Sequence, residues 1–311
     1  MHKTLQPILD ILDEGLRIYR RGFTSFALLA AIWLTPVAIG IGFAFAAGAF
    51  WGSDAIFLLI LGGSLLALPL AIYLFAAISR ATLAIQQDQR VQFSKVLTIA
   101  PTRLMGMGCY GVVFGIIVNI LVSMVSAFVC CPLYLAFMFL MTGVMSGVSS
   151  GISVAFTALL GVLGVLFLIL IYGLNLVING AVYSSVIYGL QPFVLDNLSF
   201  GASVQRSIDL TFYRTRRNLL AFILASAIFG GIAVAVTTGV GILLPLPLFW
   251  ALGDESLVAQ GISASAWLLG LIVVLPPVPI WMTLLYQQNL SAREGYDLAR
   301  QIAALDPVQT Q

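Results

Sequence analysis

The chain has 311 residues, of which 61% are hydrophobic and only 8% charged, and its mean hydropathy is +1.08. Globular domains carry about 45–50% apolar and about 25% charged residues, so this composition excludes a water-soluble fold and leaves no length for a separate catalytic domain. A net charge of +2 supplies no basic footprint for nucleic acid.

Residues 1–23 predict a helix lying in the membrane interface. Leu5, Ile8, Leu9, Leu12, Leu16, Tyr19 and Phe23 recur at helical spacing, with Asp10, Asp13, Arg17 and Arg20 on the remaining arc. Acids and bases mixed ahead of the first apolar run are unlike a signal peptide. Residues 24–88 predict a first hairpin, in which an apolar run over 24–48 turns at "AFWGSD" into a second run from Ala55 to Ala84.

Residues 89–195 predict an interfacial segment and a second hairpin. No charge occurs between Arg103 and Asp196. Residues 196–286 predict another interfacial segment and a third hairpin, with runs from Asn218 to Phe249 and from Ile262 to Tyr286. Residues 287–311 predict a cytoplasmic tail helix on which Leu290, Leu298, Ile302 and Leu305 share a face. Arg293 and Asp297 stand at i,i+4, and Asp297 and Arg300 at i,i+3. Gly295 weakens a free helix, which predicts close packing there.

All 14 Lys and Arg residues fall at the ends of alternate runs, while the intervening turns carry only Asp54 and the pair Asp254 and Glu255. Basic loops stay on the cytoplasmic side, so both termini are expected inside. The uncharged interval must then hold an even number of crossings. Two crossings require a helix over 106–127 and one over 152–190, about 58 Å long at 1.5 Å per residue, with "CPLYLAFMFLMTGVMSGV" re-entrant. Four crossings divide the long helix near Asn175. Two is preferred: an all-α polytopic helical membrane bundle of six transmembrane helices, N-in and C-in, with cytoplasmic interfacial amphipathic helices. "EGLRIYRRGFTSFALLAAI", "FSKVLTIAPTRLMGMGCYGV" and "VQRSIDLTFYRTRRNLLAFIL" each join an amphipathic stretch to basic residues and an apolar helix, which predicts a parallel internal repeat.

"DEGLRIYRRGFTSF", "RSIDLTFYRTRRNLLAFIL" and the closing "LLYQQNLSAREGYDLARQ" together resemble the membrane domain of glycerophosphodiester phosphodiesterases, a module also found as a free-standing prokaryotic multi-span protein. Leu285, Tyr286, Arg293, Glu294, Gly295, Tyr296, Asp297 and Leu298 match the family's tail. Gln287, Gln288 and Asn289 stand where it has Tyr, Asp and Leu. The resemblance implies a prokaryotic plasma (inner) membrane protein; the family's metal-binding catalytic barrel has no counterpart here.

The residues offer little chemistry. The single histidine is His2, and no Ser-His, HExxH or P-loop pattern occurs. No enzyme activity, cofactor or metal is therefore expected. The predicted spans carry no Asp or Glu to move protons. Cys109, Cys130 and Cys131 read as small packing residues, with a redox pair as the alternative for the vicinal two. Asn119, Asn175 and Asn179 are intramembrane amides that join helices or line a polar cavity. Gly111 with Gly115, and Gly161 with Gly164, predict close packing. Pro276, Pro277 and Pro279 predict a kink or break in the last span. Arg80 sits near the end of the second span, where it snorkels to the surface or contacts a lipid phosphate.

Arg20, Arg21, Arg80, Arg103, Arg214, Arg216 and Arg217 set topology and are the candidates for anionic headgroups. Arg293, Glu294, Gly295, Tyr296 and Asp297 are the candidates for docking the tail. Expected partners are membrane lipids, other copies of the chain or other membrane proteins. The expected function is that of a lipid-interacting or complex-scaffolding module; the alternative is a transporter or channel-like facilitator of a small or lipidic solute. A polar cavity reaching mid-membrane favours transport. A closed bundle with apolar grooves and basic rims favours lipid binding.

Overall fold

The computed structural model describes residues 2–89, 91–98, 154–253 and 255–295, with scattered positions between 106 and 142; all regular structure among them is helical. In chain order the helices are α1 (His2–Arg21), α2 (Phe23–Trp51), α3 (Ser53–Gln86), α4 (Phe93–Leu97), α5 (Val154–Leu195), α6 (Phe200–Tyr213) and α7 (Thr215–Val236). A π-helical turn (Thr237–Leu243) then leads to α8 (Leu246–Leu252), α9 (Leu257–Val274) and α10 (Pro277–Glu294).

Phe23–Trp51, Gly173–Leu195, Thr215–Leu252 and Leu257–Glu294 are long and apolar enough to cross a membrane, and Leu70–Gln86 is a shorter apolar helix. The chain therefore has four such helices among the described residues, against the six crossings expected. The expected crossing over 106–127 and the re-entrant piece after it lie largely outside the described residues. α5 has 42 residues, about 63 Å of helix. It is a single helix through Asn175, where an eight-span count would divide it.

The centre of the bundle is α10. Every residue from Pro277 through Tyr286 is buried, and α1, α3, α5, α6 and α7 pack around it. A helix apolar and buried on all sides is a core element. Around this post, α2 packs on α3 and α9, and α5 packs on α7.

The expected break falls at Leu275–Pro276, between α9 and α10. Both residues keep helical dihedrals, so the chain bends without reversing. Pro277 cannot donate to the Val273 carbonyl one turn earlier, and the Tyr19 hydroxyl of α1 donates to it instead at 2.6 Å.

α1 is amphipathic, but its buried face differs from the expected stripe. Ile8, Ile11, Leu12 and Ile18 are buried, while Leu9 is 47% exposed and Phe23, just past its end, is 44% exposed. The contact partner explains the rotation. The Trp281 indole crosses α1 at Gly15, where a Cβ would overlap the ring, and its Nε1 donates to the Leu12 carbonyl at 3.1 Å.

α10 continues without a break from the buried segment, through the expected start of the tail at residue 287, to Glu294, and Gly295 ends it in the left-handed region at φ 69°. Among the described residues nothing lies within 4 Å of a Cβ built on Gly295. Glycine there serves the left-handed helix end.

Candidate functional site

Contacts gather the charged segments at one end of the bundle. Arg206 on α6 pairs with Glu294 on α10 and with Asp196 at 3.5 Å. Arg293 pairs with Asp209 at 2.6 Å, Arg217 donates to Gln288, and Arg21 reaches Asp88 at 3.0 Å. The end of α10 is thereby held by side chains from the 196–217 segment. Burial opposes the charge on Arg206, but Tyr286, Glu294 and Asp196 outweigh it and raise the guanidinium's pKa. The pair between Arg21 and Asp88 is well exposed and contributes little.

Below this collar the interior is polar but internally satisfied at most atoms. Asn218, at the start of α7, donates from Nδ2 to the carbonyls of Leu210 and Thr211 at 3.1 and 3.0 Å, capping the end of α6. Its Oδ1 accepts from Asn289 Nδ2 at 2.7 Å, and the same nitrogen donates to the Tyr188 hydroxyl at 2.9 Å. Four helices therefore meet at one buried amide pair. Asn289 Oδ1 is buried with no protein partner.

Nearly two helical turns earlier on α10, Thr283 donates to Gln191 Oε1 at 3.2 Å, and Gln191 Nε2 donates to Ser79 Oγ at 3.1 Å. All three residues are fully buried. These groups join α3, α5 and α10.

Open space lies on the flanks. At the charged end, a groove of about 880 Å³ has apolar walls that include Leu198, Ile208 and Leu290, with Arg206, Asp209 and Arg293 at its edge. A second, of about 770 Å³, is polar and runs past Asp10, Glu14, Gln86, Gln87, Gln287 and Gln288. A third, of about 380 Å³ between α2 and α9, is lined by Gly42, Ala46, Gly261, Ile262 and Leu269.

The expected site residues divide accordingly. Arg20 and Arg216 are exposed. Arg214 lies with its guanidinium carbon 5.3 Å from the centre of the Tyr213 ring, as does Arg293. Arg80 turns to α4, donating to the Thr98 carbonyl at 3.3 Å, and Tyr73 donates to the neighbouring Leu97 carbonyl. Together they cap the end of that short helix. Asn179 donates to the carbonyl and side chain of Asn175 within α5, so this bond does not join helices. The α5–α7 contact is made instead by Ser226 Oγ, which donates to the Val177 carbonyl at 2.9 Å. Arg103, Asn119, Tyr296, Asp297 and Cys130 lie outside the described residues, and Cys109 and Cys131 are free thiols.

Sequence reasoning missed Asn218, Asn289, Gln191 and Tyr19. Asn289 and Gln288 carried one signal: both are polar where the resembled family has its own pattern. Among the described residues no cluster of His, Cys, Asp and Glu could hold a metal ion. Comparisons with protein-family models, curated proteins and solved structures return no match.

Proposed function

We propose that the chain is a non-enzymatic integral membrane module that holds lipid around its charged end and serves as a scaffold in the plasma membrane of a prokaryote. In this reading six helices cross the bilayer and both termini are cytoplasmic, because the basic residues gather at one end. The resemblance to the membrane domain of glycerophosphodiester phosphodiesterases is consistent with it. The observation that carries the reading is the filled interior. α10 is buried at every position from Pro277 to Tyr286, and the central polar groups Gln191, Ser79 and Thr283 bond to one another. The grooves with apolar walls lie on the flanks of the bundle, which this reading assigns to lipid.

Transport of a small or lipidic solute is the second reading. The bend at Leu275–Pro276 and the π-helical turn at Thr237–Leu243, whose Gly241 carbonyl accepts from Ser263, are irregular backbone within apolar helices. Transporters build substrate sites from such segments.

Native mass spectrometry of the protein in native-lipid nanodiscs separates the two. The lipid-holding reading expects stoichiometric lipid or a partner subunit to stay bound. A bare protein that supports solute flux in liposomes overturns it.

A further inference from the structure

The charges at the α6–α7 corner do not balance locally. Asp196 and Glu294 are engaged by Arg206, and Asp209 by Arg293. Arg214, Arg216 and Arg217 fall within four consecutive residues, and none of them is bonded to a carboxylate of the described residues. Arg214 lies against the Tyr213 ring, which holds a cation without neutralising it. Among the described residues Arg217 donates only to the neutral Gln288, and its Nε is buried without a partner. Three guanidinium groups so close in the chain favour an anion beside them, and their forks match the oxygens of phosphate.

The surface beside the cluster is apolar. On α7, Arg216, Leu219, Leu220 and Ile223 are spaced to share a face, and all four are exposed, Leu219 at 53%. Phe212, at the end of α6, is 71% exposed. A free phosphate would use only the arginines. An amphiphile uses both the cations and the stripe that descends from them.

We propose that the α6–α7 corner binds one anionic phospholipid, with Arg214 and Arg216 taking its phosphate oxygens and Leu220 and Ile223 lying along an acyl chain. This rests on the lipid-holding reading and gives it a location and a headgroup charge. Arg217 stands behind the phosphate and adds its charge. The first amides of α7 favour the same anion.

The test uses the full chain in phosphatidylcholine nanodiscs doped with phosphatidylglycerol, followed by native mass spectrometry. One phosphatidylglycerol per chain is expected on the wild type, reduced at least about tenfold by Arg214→Gln with Arg216→Gln. Lys95→Gln, at an exposed basic residue on α4, should leave it in place. Arg214→Lys with Arg216→Lys should retain most of it, which separates lost charge from misfolding. If the first pair keeps its phosphatidylglycerol, this site is wrong while the lipid-holding reading stands. If the wild type retains no lipid of either kind, both fail. If inorganic phosphate stabilises the chain in neutral detergent, and Arg214→Gln with Arg216→Gln abolishes that effect, the site takes a free anion and the lipid assignment is overturned.

Discussion

Val273 has a carbonyl whose helical donor is missing, because Pro277 has no N–H. In hydrocarbon no water can replace that donor, and an unmet backbone group there is costly. Tyr19 fills the gap from 254 residues away in sequence. Burial raises the pKa of its phenol, so the hydroxyl remains a donor across the physiological range. Tyr19→Phe should destabilise the bundle by about 1 kcal/mol, the usual net worth of one hydrogen bond, with little change in packing. A lower detergent-melting temperature at unchanged helical content would show it; an unchanged one would mean that the carbonyl is met otherwise. The prolines were legible in the sequence as a point of bending, since proline acts locally. Tyr19 was not, because the identity of a donor depends on which helix lies alongside. The same holds for Asn218 and Asn289. Depth within an apolar run drew attention to Asn119, Asn175 and Asn179, whereas the described structure joins four helices at two amides nearer the charged end.

At the scale of elements, α1 illustrates why a hydropathy pattern is ambiguous in a membrane. Lipid and protein neighbours are both apolar, so an apolar arc does not say which of its sides meets the bundle. Gly15 does say it. It is small where the Trp281 ring crosses, and close approach through small residues is the common means of helix association in membranes. Gly15→Leu should push α1 off α10, since the overlapped group is a buried ring with no free rotamer to take. Limited proteolysis should then cut within residues 2–21 in the variant and spare them in the wild type. Equal protection in both would place the α1–α10 contact elsewhere. α10 shows the complementary case. Its charged end was legible as ordered, and the helix runs through it to the glycine that terminates it.

Over the whole molecule, the all-helical class and the segregation of charge to alternate ends were readable from composition and spacing. Four helices long enough to span occur among the described residues, and the expected crossing over 106–127 lies largely outside them. The central position of α10 was not readable at all. Its sequence is less apolar than those of α3, α5, α7 and α9, and its place follows from polar partners on α5 and α7 that are distant in the chain. A chain ending at residue 276 should still enter the membrane, because the preceding helices are apolar enough to insert, but it should lose the protease resistance of α1. Full protection of α1 in that shortened chain would contradict the role of α10 as its support. Chain order adds a temporal consequence. During synthesis the described helices emerge before the one they surround, so Gln191, Asn218 and the Leu12 carbonyl all precede their α10 partners in the chain. The helix that these groups need is thus the last of the described ones to become available to them.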